Sequence, residues 1–169
     1  MLAEEHPATL SMPQVAARAG TSLRTLYRYF PTKEALVDAA SESFQVPGAA
    51  EGTVGLRDVP DYIRRSWRGF TESFAAVRAQ HVTPAGRALR DRRVPRSRRA
   101  VRTALEAAGV DLPPEDRDRL VDLVVALISS SMYLELVDRL GRDDEDAADL
   151  AAWTVLAVVD RAKRRGGIR

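Results

Sequence analysis

The chain of 169 residues contains no cysteine. That absence excludes disulfides, thiolate zinc sites and cysteine nucleophiles. Aromatic residues are few, at 6%, and no β-rich stretch stands out, whereas alanine, leucine, arginine and the acidic residues dominate. This composition favours helices. Because 45% of the residues are apolar, we expect a folded protein with a substantial core rather than a disordered chain.

A long uninterrupted apolar run is also missing. The most apolar stretch, residues 120–137, is interrupted by Asp122 and Glu135 and contains three consecutive serines. This pattern favours a buried helix over a membrane span. The opening residues MLAEEHPATL show no basic segment followed by an apolar one, so they do not resemble a signal peptide. Together these features predict a cytoplasmic protein with no membrane partner.

Charge is nearly balanced, at +2, but it is unevenly distributed. Residues 18–33 carry four basic side chains and no acid, while acidic side chains gather at residues 111–122 and 143–149. A molecule with separated basic and acidic regions can present a positive face to a polyanion. The alternative for each charged run, taken alone, is a solvated helix face.

A second basic run, residues 87–102, holds eight arginines and one acid, Asp91. Two interpretations are open: contact with DNA phosphates, or pairing within the chain with acids such as Glu34, Asp38 and Glu42. We favour pairing within the chain, because the run has no aromatic side chain that could stack on bases.

Capping and breaking residues divide the first part of the chain into short helices. Ser11 and Gln14 form a capping box that begins one helix, and Gly20 can end it in the left-handed conformation. Ser22 caps a second helix, which closes before Pro31 because the residue preceding a proline leaves the helical region. A third helix is predicted from residue 33 to about residue 44.

The first two of these helices form a helix-turn-helix pattern. Small Ala16 and Ala19 on the first helix allow close approach to Leu26 on the second. The second helix then projects polar and basic side chains. A helix of this kind fits the major groove, where arginine can pair with guanine and threonine can touch a thymine methyl group.

The stretch MPQVAARAGTSLRTLYRYFPTKEALVDAA resembles the DNA-binding signature of TetR-family regulators. The resemblance covers residues 11–40 and is most specific from Thr25 to Leu36. It implies an all-α fold with a three-helix head, residues 1–45, and a larger helical body for ligand binding and dimerisation, residues 46–169. Family members usually begin with a full first helix, of which residues 1–5 look like the last turn only, so we expect an incomplete first helix.

The resemblance also implies which side chains contact double-stranded DNA. Phosphate contacts are implied for Tyr27, Tyr29 and Lys33, and base or groove contacts for the residues at the start and middle of the second helix. The full set of expected DNA-binding residues is Ser22, Leu23, Arg24, Thr25, Tyr27, Arg28, Tyr29 and Lys33.

For the body, we predict helices near residues 58–80, 83–92, 96–109, 114–140 and 144–164. The resemblance implies a homodimer built from the last two helices, and apolar side chains there agree with it. The alternative is that these side chains form the core of a monomer. The expected interface residues are Leu120, Leu127, Ile128, Ala151, Leu156 and Val159.

An effector pocket is expected between the first and fourth of these helices. Trp67, Phe70 and Phe74 are spaced by three and four residues and so share one helix face. Its further candidate walls are His81, Met132, Tyr133 and Leu136. This lining suggests a small apolar or aromatic molecule with one or two polar groups. The alternative is an ordinary aromatic core.

Taken together, the sequence predicts a ligand-responsive regulator, a repressor that binds palindromic operator DNA as a dimer and leaves it when an effector binds. The alternative is a dimeric ligand-binding module that no longer binds DNA. An enzyme is not expected, because His6 and His81 lie far apart and no Glu-x-x-His pair, glycine-rich phosphate loop or G-x-S-x-G turn occurs. No catalytic residue, metal site or cofactor is predicted.

Overall fold

The computed structural model describes residues 11–43 and 55–168, and every regular element within these two ranges is a helix. The predicted all-α fold is thereby confirmed. A 3₁₀ turn, Leu56–Asp58, precedes the fourth helix, and a π-helical segment, Leu134–Arg139, follows the eighth. The α-helices are α1 Met12–Arg18, α2 Leu23–Tyr29, α3 Lys33–Ser43, α4 Val59–Glu72, α5 Phe74–Val82, α6 Pro84–Ala107, α7 Pro114–Leu127, α8 Ser130–Tyr133 and α9 Asp144–Arg165.

Three of the helix boundaries predicted for the body are wrong. The single helix predicted over residues 58–80 is interrupted at Ser73, whose φ and ψ are −115° and 27°. The one predicted over 114–140 breaks at Ser129, which is extended and whose hydroxyl accepts from the Met132 N–H and donates to the Ala126 carbonyl. Conversely, α6 runs through Pro95 without ending, although an interior proline removes a backbone hydrogen bond. Side-chain pairs formed by Arg92 and Arg98 hold α6 on either side of it.

The described residues form two compact units. The first unit, the head, joins residues 11–43 with residues 79–93; the second unit, the body, joins residues 55–78 with residues 94–168. The head therefore includes a segment that the sequence pattern led us to expect in the body.

The head is built around a small apolar core. Met12, Ala16 and Leu26 are buried, and three partly buried side chains from α1, the end of α2 and α3 pack against them. The turn between α1 and α2 follows the capping signals: Gly20 has φ +62°, and the Thr21 N–H donates to the Ala16 carbonyl over 3.0 Å. Such a turn satisfies the last carbonyls of a helix and sets the angle of the next one.

Segment 79–93 contacts α3 of the head through Arg92, which forms an ion pair with Asp38 and donates to the Glu34 carbonyl over 3.4 Å. Within the segment, Arg90 Nε donates to the Gln80 carbonyl over 3.1 Å. At the start of α6, the Thr83 hydroxyl accepts from the Gly86 N–H over 3.1 Å and so satisfies one otherwise unpaired donor.

The body has a larger core in which α9 packs against both α4 and α7. Helix α4 contributes Ile63 and Trp67, whereas α9 contributes a row of small side chains that lets the helices approach closely. The buried residues of α9 are Ala147, Ala148, Ala151, Ala152, Val155, Val159 and Ala162.

Arginines of α6 also contribute to the body by pairing with acids of α7. Arg98 binds Asp122 through two hydrogen bonds of 2.6 and 2.8 Å, and Arg102 donates to Asp118 over 2.8 Å. The expected pairing of the arginine run within the chain is thus confirmed for these residues and for Arg92. The Glu42 side chain lies outside the described residues.

Within residues 11–43 and 55–168, no single helix is long and apolar enough to cross a membrane. Only a pair, Pro114–Leu127 with Ser130–Arg139, reaches that length and composition, and it is bent by 45°.

Candidate nucleic-acid interface

Helix α2 has one buried side and one exposed side. Leu26 points into the head core, whereas Tyr27 and Tyr29 are 45% and 65% exposed, and Arg24 and Arg28 are exposed as well. A tyrosine ring buries a large apolar area and its hydroxyl can form a hydrogen bond, so exposed tyrosines are well suited to contact a partner. The exposed side therefore combines cationic donors with aromatic surface.

The start of α2 is fixed by two hydroxyl groups. The Ser22 hydroxyl accepts from the Thr25 N–H over 3.0 Å and lies 2.8 Å from the Thr25 hydroxyl. This is the N-cap that the sequence predicted. Because the hydroxyl of half-buried Thr25 is engaged with Ser22, the Thr25 methyl group is the part of this side chain that remains able to contact another molecule.

The end of α2 carries a second contact between neighbouring side chains. The Arg28 guanidinium carbon lies 5.0 Å from the centroid of the Tyr29 ring, and Arg28 Nη2 donates to the Tyr29 hydroxyl over 3.3 Å. Immediately afterwards Phe30 leaves the helix, with φ −129° and ψ 87°. Guanidinium groups stack favourably on aromatic faces.

The electrostatics of this surface are positive. Helices α1 and α2 contain no acidic residue, and Lys33 at the start of α3 is exposed. The nearest acid along the chain is the exposed Glu34, in the first turn of α3, and the next one, Asp38, forms an ion pair with Arg92. A positive helix surface of this size attracts the phosphate backbone of nucleic acid.

Residues 1–40 match the family model of bacterial regulatory proteins, tetR family. These first 40 residues are therefore similar to the N-terminal, DNA-binding domain of that family. No curated protein and no solved structure gives a significant match to the chain. The TetR-type head places all eight expected DNA-binding residues on α2, its cap and the first position of α3. The expected incomplete first helix falls on residues 1–5, outside the described residues.

In the body, most residues of the expected effector pocket form one aromatic cluster. The buried Tyr133 ring lies edge-on to Trp67, Phe70 and Phe74, with centroid distances of 5.6, 5.6 and 6.4 Å. Met132 packs against the same core and Leu136 is buried. His81 belongs to the head unit, where burial, followed by the positive charge of Arg90, lowers its pKa.

The cluster contains a polar chain that the sequence did not indicate. The Tyr133 hydroxyl lies 3.0 Å from the Thr71 hydroxyl, which donates to Asp144 over 2.7 Å. Burial raises the pKa of Tyr133, an effect that the hydrogen bond with Thr71 partly offsets. No sequence signal links these residues, because Thr71 and Asp144 are far apart in the chain.

The residues expected at a dimer interface have two different locations. Leu120, Leu127, Ala151 and Val159 are buried inside the core of a single chain, whereas Ile128 and Leu156 are half-buried. Exposed apolar side chains are found elsewhere on the last long helices, at Leu123, Leu150 and Trp153. Leu150 and Trp153 are three residues apart and so share the face of α9 opposite its buried alanines. This spacing is the sequence signal that could have identified them as an exposed apolar face.

Proposed function

We propose that this chain is a ligand-responsive repressor that binds palindromic operator DNA as a homodimer. The observation that carries the proposal is the exposed, positive side of α2 within a TetR-type head. The helix enters the major groove of DNA, so that Arg24 and Arg28 contact base edges. Lys33 and the hydroxyl of Tyr27 contact phosphates and fix the orientation of the head.

Homodimerisation is supported by the apolar side chains that one chain leaves exposed. Trp153 is 68% exposed and Leu150 is 42% exposed on α9, and Leu123 of α7 is exposed too. Large exposed apolar side chains that share a helix face are typical of protein interfaces. A two-fold dimer presents two copies of α2 to half-sites one helical turn of DNA apart.

Ligand response is supported by the aromatic cluster of the body. Trp67, Phe70, Phe74 and Tyr133 bring four rings together with a polar chain at one end. A small apolar or aromatic effector that binds one conformation of the dimer better than another shifts the population away from the DNA-binding conformation.

The first test measures DNA binding by fluorescence anisotropy, with operator fragments that the protein itself enriches from genomic DNA. Arg28→Ala should weaken binding by about 1–3 kcal/mol and relax selectivity at one base pair, whereas Lys33→Ala should weaken binding equally for all sequences. Arg65→Ala, an exposed arginine of α4, is the matched control. If no fragment is enriched above competitor DNA, the protein is instead a dimeric ligand-binding module without DNA binding.

A second test addresses the effector. Because Trp67 is buried and Trp153 exposed, the variant Trp153→Phe reports Trp67 fluorescence alone. Small aromatic compounds that change this fluorescence should also lower operator affinity in the anisotropy assay. Compounds that bind near Trp67 and leave operator affinity unchanged would refute the ligand response while leaving DNA binding intact.

A further inference from the structure

We propose that Tyr29 is a positioning residue for Arg28, and that it acts on operator binding through the arginine rather than through a phosphate contact of its own. This inference rests on the proposed function, in which α2 enters the major groove. The contact is direct: the guanidinium carbon lies 5.0 Å from the ring centroid, and Arg28 Nη2 donates to the tyrosine hydroxyl over 3.3 Å.

The contact is unusual for neighbouring residues of a helix. Consecutive side chains point about 100° apart around an α-helix and do not normally face each other. Here Tyr29 is the last residue of α2, and the backbone turns away at Phe30. Because the helix ends at Tyr29, the Tyr29 ring can lie against the Arg28 guanidinium. Arg24, one turn earlier, has no such neighbour among the described residues.

The consequence for recognition follows from the donors of arginine. A guanidinium carries five N–H donors in a planar fork that can pair with the O6 and N7 atoms of guanine. One of these donors, on Nη2, is directed to Tyr29, and stacking restricts the plane of the group. A side chain held in this way before DNA arrives loses less conformational freedom on binding.

A phosphate contact by Tyr29 alone has a different signature. Loss of a phosphate contact weakens binding equally for all sequences, whereas loss of a base-reading group relaxes specificity at one base pair. If Tyr29 positions Arg28, its removal should relax specificity at the same base pair as Arg28→Ala. Its removal should also have no further effect when Arg28 is already absent.

The experiment uses the full chain and two readouts. In operator binding, Tyr29→Leu should weaken affinity roughly five- to tenfold and relax specificity at the same base pair as Arg28→Ala. Tyr29→Phe, which keeps the ring and loses the hydroxyl, should cause about half of the affinity loss of Tyr29→Leu. In the Arg28→Ala background, Tyr29→Leu should change affinity by less than about twofold. Tyr27→Leu, an exposed tyrosine of the same helix without a contact to Arg28, is the matched control and should weaken all sequences equally.

The second readout needs no DNA. In a proton–nitrogen correlation spectrum, the Arg28 Nε–H resonance, assigned by its loss in Arg28→Ala, should be shifted by the ring current of Tyr29. Tyr29→Leu should move it and Tyr29→Phe should not. If the Arg28 Nε–H resonance is unshifted, or if Tyr29→Leu and Arg28→Ala have additive effects on affinity, the positioning role is refuted while the proposed function stands. Failure of the unaltered protein to select any operator overturns the proposed function and this inference with it.

Discussion

The hydroxyl of Tyr133 donates a hydrogen bond to the hydroxyl of Thr71, across 3.0 Å. The direction follows from the proton count. Thr71 has one hydroxyl proton, and its best acceptor is the Asp144 carboxylate at 2.7 Å, since bonds to charged acceptors are the stronger ones. The remaining role of Thr71 toward Tyr133 is that of acceptor. A directed chain thus joins α8, α4 and the start of α9.

Removal of the Tyr133 hydroxyl should destabilise the body modestly. Tyr133→Phe keeps the edge-on ring contacts and loses one part-buried hydrogen bond, so we expect a cost of about 1 kcal/mol in the free energy of unfolding. Urea denaturation followed by circular dichroism measures it. Tyr62→Phe is the control, because among the described residues Tyr62 makes no hydrogen bond through its hydroxyl. Equal costs for the two variants would show that the chain through Thr71 adds nothing.

The same hydroxyl should make stability depend on pH in the alkaline range. Burial raises the pKa of Tyr133 in the folded protein, whereas in the unfolded chain it stays at about 10. Above that value the unfolded chain releases the proton and the folded protein keeps it, so stability falls as pH rises from about 10 to the folded pKa. Between about pH 9 and 11, Tyr133→Phe should lose less unfolding free energy than the unaltered protein. Equal losses of unfolding free energy in the variant and in the unaltered protein would contradict the prediction.

The head was largely predictable from sequence because its helix ends are set by near neighbours. Ser22 caps α2 through the N–H three residues later, and Gly20 ends α1 with a positive φ. Such signals need no knowledge of the rest of the fold. The exposed side of α2 followed from the same boundaries, since Leu26 alone had to face the core. The contact of Arg28 with Tyr29 depends on side-chain rotamers, which the sequence does not specify.

The body was less predictable because its helices are positioned by distant contacts. Residue type alone favours burial of tryptophan as well as of alanine, yet α9 buries its alanines and exposes Trp153. The reason is that α4 approaches α9 closely, and only small side chains fit between them. Likewise, local rules end a helix near Pro95, but α6 continues through it, with ion pairs formed by Arg92 and Arg98 on either side.

Gly86 should not tolerate a side chain. A Cβ atom built on Gly86 would lie only 2.7 Å from the carbonyl carbon and oxygen of Gln80, both backbone atoms that cannot move aside. We expect Gly86→Ala to cost about 1–3 kcal/mol in the free energy of unfolding, as overpacking does. Gly69→Ala is the matched control, because nothing lies within 4 Å of its Cβ position. That variant should instead stabilise α4 by roughly 0.5–1 kcal/mol. Chemical denaturation of both variants decides, and a neutral Gly86→Ala would contradict the close approach.

The alanine row of α9 should belong to the fold of each chain. Ala151 is buried against its own chain's core, so Ala151→Leu should lower the melting temperature even at protein concentrations where no dimer forms. We expect a cost of about 1–3 kcal/mol. The matched control is Ala100→Leu on the exposed side of α6, which should change stability by less than about 0.5 kcal/mol. Destabilisation of Ala151→Leu that grows with protein concentration would assign Ala151 to a subunit interface instead.

The exposed apolar side of α9 should carry the dimer contact. Trp153→Glu places a charge where an apolar ring would be buried between subunits, and burial of an unpaired charge is strongly unfavourable. Sedimentation equilibrium should therefore show a shift from dimer to monomer, while circular dichroism stays unchanged because Trp153 lies outside the core of the single chain. Arg65→Glu, on the side of α4 opposite Ile63 and Trp67, is the control and should remain dimeric. A Trp153→Glu protein that stays dimeric would locate the interface elsewhere, and a fully monomeric unaltered protein would refute homodimerisation itself.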